Sequence, residues 1–290
     1  MKETNRKKKD VTVYIIIAVL FLIALFSLFP FWYTLVGSFN DGLDYEYGGV
    51  WIFPRKFTLA NYQVVLGDER LYRAFLNTFI IVGVGTSCSI IFTSIVSYAM
   101  SQPELKFKRF FRSANLFTMF FSGGIVPYYM VMVLLGLYDT FFVYLLPALY
   151  SVYNMIVLSS FFRGIDQGLR EAAIVDGARE IRIWWSIYLP VSKPALATIA
   201  LWVGVGLWNS YMSTLLYTSK AESMWTLQFY LMRVIQESQM PEMDGVVSEQ
   251  VTTQTISFAA IIVSVIPIVL MYPLLAKFFT KGLMVGSLKG

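Results

Sequence analysis

Residues 171–194 read EAAIVDGAREIRIWWSIYLPVSKP and carry six charges between long uncharged runs. The segment is too polar to cross a bilayer. An alanine doublet opens it, Gly177 permits a bend that other residues resist, and Pro190 and Pro194 close it. Ala178, Ile181, Trp185 and Tyr188 recur at intervals of three and four, which predicts one apolar helical face beyond the glycine. Glu171 is expected in the first turn of the preceding helix, where the helix dipole favours an acid. Asp176 and Arg179 are spaced to pair locally. The expected unit is two short helices meeting at Gly177.

The flanking runs decide the class. The 290 residues are 57% hydrophobic and 14% charged, against about 25% charged in soluble domains. Uncharged runs cover residues 11–40, 74–103, 113–138, 140–162, 194–219 and 250–276. A spanning helix needs about 20 apolar residues, and Gly136 with Asp139 supplies a reversal between the third and fourth runs. The chain thus reads as an all-α polytopic membrane protein with six transmembrane helices. We place them at about 11–39, 74–101, 114–136, 140–162, 195–218 and 252–278, with tails at 1–10 and 281–290 and a loop at 163–194. The first run is longer than a signal-peptide core and lacks a small-residue cleavage site, so it reads as a retained span.

With the N-terminus placed in the cytoplasm, 17 of the 23 Lys and Arg fall on that side. The positive-inside rule favours this arrangement. Both termini and the loop at 163–194 are then cytoplasmic. The long outer loops, rich in acids and aromatics, read as solvated or as a docking surface for an external partner.

Composition also excludes. There is no histidine and no Gly-Lys pair, so histidine-based metal sites and a phosphate-binding P-loop cannot be drawn. Cys88 is the single cysteine, which removes a disulfide framework. An integral membrane enzyme would need intramembrane catalytic groups that are missing. A mere assembly scaffold would have no use for polar spans. An ion-coupled secondary transporter of small polar solutes is the alternative reading. Such carriers place an ionisable residue inside a span, whereas the charges here fall between the uncharged runs.

Glu171, Ala172, Ala173, Asp176, Gly177, Ala178, Ile187, Leu189 and Pro190, followed by Pro194, resemble the EAA loop of binding-protein-dependent ATP-binding-cassette importers. Asn77-Thr78, residues 97–101 (SYAMS), Trp208-Asn209-Ser210 and the tail FTKGL are similar to the carbohydrate branch, the maltose-permease-like type I group. FSGGIVP at 121–127 looks like a subgroup associated with oligosaccharides, including acidic ones. Met100 and Trp185 depart from the usual leucine and phenylalanine.

The resemblance implies a type I permease fold with cytoplasmic EAA coupling helices, forming half of a translocation pathway. It implies a second, non-identical permease, two ATPase subunits and an extracytoplasmic sugar-binding protein, in the lipid bilayer of a prokaryotic cell membrane and without nucleic acid. It implies a non-catalytic chain that binds no cofactor itself, ATP and Mg being used by the ATPase subunits. Glu171 would meet a basic residue of an ATPase groove, and Lys281 and Gly282 would reach the ATPase from the tail. Sugar recognition calls for aromatic platforms and neutral polar groups. On that ground Tyr128, Tyr153, Asn154, Trp208, Asn209 and Tyr211 are the substrate-pathway candidates. Asn154 and Asn209 are costly in hydrocarbon, so each should face a partner or a wet cavity.

Overall fold

Long apolar runs can satisfy their backbone in a bilayer only as helices or closed barrels, and this chain uses helices. The structure, a computed structural model, describes residues 2–237 and 251–287, with side chains described for 11–237 and 251–270. Among the described residues the one strand-like feature is an isolated antiparallel bridge between Asn40 and Phe57. The chain divides into two units, Met1–Glu69 with Leu231–Ile266, and Arg70–Tyr230 with Pro267–Gly290.

In the first unit, α1 (Lys2–Ser38) carries the first apolar run. Its apolar stretch Val11–Ser38 rises about 42 Å, enough for the roughly 30 Å hydrocarbon core. Side chains such as Phe26 and Leu28 are largely exposed, as a lipid-facing helix requires. Two short helices follow, α2 (Gly42–Glu46) and α3 (Ala60–Gly67). They are held by buried amides. Asn40 Oδ1 accepts from the backbone N–H of Arg55 (2.8 Å) and Lys56 (3.1 Å), and its Nδ2 donates to Asp44 Oδ2 (3.0 Å). Asn61 Nδ2 donates to the carbonyls of Ser38 and Asn40, and Thr255 Oγ1 donates to Asn61 Oδ1 at 2.8 Å. Asp44 also accepts from Arg55 Nε at 2.9 Å, so this loop is more ordered than a merely solvated one. Gly42 lets the chain pass close by, since a Cβ there would sit 2.3 Å from the Thr252 nitrogen. Removing Asn61 strands several buried polar groups, each worth about 1–3 kcal/mol. Asn61→Ala should therefore lower the Tm of the solubilised protein by several degrees, and an unchanged Tm would contradict this account.

In the second unit, α4 (Glu69–Ser101) is a continuous span. Its buried positions include Thr78, Gly85, Ser89, Thr93, Ser94 and Ser97, small residues that let helices approach closely. A Cβ on Gly85 would lie 2.8 Å from Leu207 Cδ1. Asn77 Nδ2 donates to the Ser223 and Trp225 carbonyls, and Thr78 Oγ1 accepts from the Leu227 N–H. The Asn77-Thr78 pair thus fastens α4 to the chain beyond the fifth run.

The third to fifth runs, each expected as one helix, are divided. The third is α5 (Lys108–Phe120) and α6 (Ile125–Leu134), bent by 115°. The break falls at the glycine pair, where Gly124 has φ +84°, a conformation other residues resist. The fourth is α7 (Phe142–Leu145) and α8 (Val152–Arg163), interrupted around Pro147, which lacks a backbone donor. Next come α9 (Gln167–Val175), α10 (Glu180–Val191) and α11 (Lys193–Trp208), the last two bent by 83°. Past α11 a π-turn covers Thr214–Thr218. Tyr144 Oη bonds to Thr214 Oγ1, to Thr218 Oγ1 and to the Met224 carbonyl, tying the fourth run to the fifth. The expected reversal between the third and fourth runs is present, with Gly136 at φ +69° and Asp139 at φ +59°. The remaining helices are α12 (Leu227–Glu237) and α13 (Thr253–Ser287). By length and composition three described helices can cross a membrane, or five if each bent pair is one span.

Candidate coupling site

The elbow at 166–192 is built by local signals. Asp166 caps α9, its Oδ1 accepting from the Gly168 N–H at 2.9 Å. The helix therefore starts at Gln167, and Glu171 lies in its second turn rather than the expected first. At the other end the Gly177 N–H bonds to the Ile174 carbonyl and the Ala178 N–H to the Ala173 carbonyl, both at 2.9 Å. These two bonds, with Gly177 at φ +80°, make a Schellman stop. Ala173 and Ala178 pack against the same apolar cluster. The alanines expected to admit a partner are divided: Ala172 is exposed, while Ala173 and Ala178 are half-buried.

Beyond the bend the expected apolar face is corrected. The α10 backbone widens into a π-turn at Trp184–Tyr188, which rotates later residues relative to a 3.6-residue repeat. Ile183, Trp184 and Tyr188 are buried, whereas Ile181 is 63% exposed and Trp185 62%. Tyr188 is fully enclosed between the Tyr98 ring (4.7 Å, 78°) and the Phe162 ring (5.4 Å, 86°). Leu158, Ile165 and Ile199 complete this core, with Ile187 and Leu189 packed at its edge. Pro190 is exposed.

A polar clamp crosses the bend. Arg170, on α9, donates Nη2 to Glu180 Oε1 at 2.6 Å and Nη1 to Glu104 Oε1 at 3.2 Å. Tyr98 Oη donates to the other oxygen of Glu180. Burial works to raise the Glu180 carboxyl, but the hydrogen bonds from Arg170 and Tyr98 and the Arg170 charge outweigh it and hold the carboxyl below its ordinary value. The Arg170 guanidinium is raised, chiefly by its bond to Glu180. The expected Asp176–Arg179 pair is absent: the ion pairs of this loop run through Arg170. Because the folded carboxyl is depressed, its stabilisation is present above the unfolded pKa and is lost as pH falls through the folded one. Emission from Trp184 and Trp185 should therefore hold steady from neutral pH to about pH 5 and shift below roughly pH 4. Tyr98→Phe should move that shift upward, and an identical titration in the variant would remove the clamp.

Pinned on one side, the elbow leaves its other side bare. Glu171, Ala172, Ile174, Val175, Asp176, Gly177 and Trp185 are exposed, Val175 by 87%. Ala173, Asp176, Ala178, Arg182 and Ile187 line a notch of about 210 Å³ between the two helices. Lys281 and Gly282 lie on the backbone of α13, and their side chains are outside the described residues.

The substrate-pathway candidates do not converge. Tyr128 lines a cavity of about 550 Å³ with Ser122, Gly124, Ser213 and Tyr217, beside the break between α5 and α6. Trp208, whose buried indole N–H has no protein partner, lines a different, mostly apolar one of about 290 Å³ with Thr86 and Gly204. Tyr153 is exposed beside Trp202, and Asn154 is buried on α8. Asn209 is exposed and donates Nδ2 to the Val205 carbonyl of its own helix at 3.0 Å. Tyr211 is exposed. Tyr217, stacked on Tyr129 at 5.5 Å and carried on the π-turn at Thr214–Thr218, is the residue that sequence reading missed.

Long apolar helices, bent ones among them, joined by an amphipathic and half-bare elbow are the features of a membrane transport subunit. Residues 4–285 match the family described as binding-protein-dependent transport system inner membrane component, and the chain belongs to that family. It is 34% identical to protein LplC of Bacillus subtilis, covering 99% of this chain and 98% of that one. It is 33% identical to the Bacillus subtilis polygalacturonan/rhamnogalacturonan transport system permease protein YtcP, over 93% and 96%. A chain from the crystal structure of a bacterial ABC transporter involved in the import of the acidic polysaccharide alginate superposes with a TM-score of 0.86 at 32% identity, over 93% of this chain and 98% of that one. The type I permease fold expected from the sequence is therefore the observed one, and the secondary-transporter alternative loses its ground.

Proposed function

We propose that this chain forms half of the pathway of an ATP-driven importer of oligosaccharides, acidic ones included, and that the elbow at 166–192 is where partner ATPase subunits act on it. The observation that carries the reading is the asymmetry of the elbow. One side is locked to α4, α8 and α11 by the Tyr188 core and the Arg170 clamp. The other presents Glu171, Ala172, Val175 and the notch beside Ala173 to a partner. A load on that side reaches the spans because the packed core cannot yield gradually.

Six crossings with both termini cytoplasmic keep the elbow on the side where ATP is, in agreement with the distribution of Lys and Arg. The ATPase subunits bind ATP and Mg, and this chain supplies shape. A second permease completes the cavity, and an extracytoplasmic binding protein delivers the sugar. The names of the relatives and of the alginate importer support a polysaccharide-derived cargo. The cavity at the α5–α6 break offers the stacked Tyr129–Tyr217 pair nearby, Tyr128, and the hydroxyls of Ser122 and Ser213, the mixture of flat rings and neutral groups that sugars take. Uptake of labelled oligogalacturonides by proteoliposomes of the whole importer tests this. Accumulation should require internal ATP and the binding protein. Uptake on an ion gradient without ATP would overturn the reading.

A further inference from the structure

Lys108, Arg112 and Arg163 line a cavity of about 160 Å³ where the N-terminal turn of α5 meets the last turn of α8, with Met155 and Ser159 on its wall. That is several times the roughly 30 Å³ of one water in the liquid. Among the described residues no carboxylate pairs with any of the three cations. Glu104, the acid in the same loop, is taken by Arg170. Lys108 Nζ donates to the Gln102 carbonyl at 2.7 Å at the end of α4, and Arg163 Nη2 to Ser160 Oγ at 2.7 Å. The neutral groups are spent: Ser159 donates to the Ile156 carbonyl and Asn115 to the Phe111 carbonyl. Burial and the nearby Arg163 and Arg112 charges push the Lys108 ammonium down. Such a cluster is short of an anion.

The surroundings indicate which anion. Phe107 and Phe110 are 78% and 68% exposed, and Phe111 and Phe117 are exposed as well. A helix with Lys and Arg on one face and exposed Phe and Leu on the other has the composition of a segment lying at a bilayer interface. A soluble anion would gain nothing from those rings, whereas acyl chains would cover them. We propose that the cavity holds the phosphate of an anionic phospholipid, with Lys108, Arg112 and Arg163 as its ligands and the phenylalanines against its chains. The bound lipid braces the ends of α4, α5 and α8, the last of which leads into the elbow. Only the choice of leaflet rests on the orientation proposed above.

The test uses the assembled importer in phosphatidylcholine nanodiscs doped with a photoactivatable phosphatidylglycerol. Labelled peptides should map to residues 100–116 and 155–163. Capture should fall about fivefold for each charge removed in Arg112→Gln and Arg163→Gln, and Lys108→Arg should retain it. Equal capture of a photoactivatable phosphatidylcholine, or undiminished capture in the double variant, would overturn the site. Inorganic phosphate should fail to compete; if it abolishes labelling, the occupant is a soluble anion and the lipid assignment falls. ATP-dependent sugar uptake, measured in the same preparations, reports separately on the importer reading.

Discussion

Replacing Gly177 with proline is expected to abolish sugar uptake, by about a hundredfold or more, while membrane levels of the protein stay near normal. Gly177 sits at φ +80° and donates its N–H to Ile174. Proline fixes φ near −65° and has no N–H, so the helix stop must unravel, at a cost of about 3 kcal/mol or more. The damage stays local because a Cβ there would meet nothing within 4 Å. A graded series separates conformation from bulk. Gly177→Ala carries only the left-handed penalty of about 1–2 kcal/mol and should reduce uptake partially, and Gly177→Asn less, since asparagine tolerates that region. If proline supports wild-type uptake, or if alanine and proline behave alike, the bend is not what transmits force.

The second large effect is at the clamp. Arg170→Glu would set a third carboxylate against Glu104 and Glu180 in place of a guanidinium that is 11% exposed. Losing a charged hydrogen bond to a partner of this kind costs about 2–4 kcal/mol. Glu180 is half exposed, which puts the expected loss at the lower end. Amide exchange across residues 167–188 should quicken, and uptake should fall at least about tenfold. The exchanged pair, Arg170→Glu with Glu180→Arg, should recover most of the protection, because the swap restores opposite charges across the bend. A double variant no better than the single one would show that the two residues do not act on each other.

Much of this was legible in the sequence where the cause is local. The bend at Gly177, the reversal at Gly136 and Asp139, and the membrane class follow from backbone freedom and composition. The Asp166 cap was not read, and it starts α9 ahead of the position that the EAA pattern alone suggests. What escaped needs information that a periodicity does not hold. The π-turn at Trp184–Tyr188 inserts a register change, so Ile183 and Tyr188, five residues apart, share the buried face and Trp185 is left outside it. The clamp joins Tyr98, Glu104, Arg170 and Glu180 across gaps as long as 82 residues, which one sequence cannot pair. The substrate-pathway candidates were chosen by residue type, and the broken third and fifth runs scatter them over separate walls.

The most direct test of the central claim is a cross-linking scan of the elbow in the assembled transporter, with Cys88 replaced. Val175→Cys, on the bare side, should be captured in high yield by the co-purified ATPase subunit, with the yield changing between ATP-bound and nucleotide-free states. Ile183→Cys, inside the core, should not be captured. If Val175→Cys yields only lipid adducts in both states, the elbow rests on the membrane and transmits nothing.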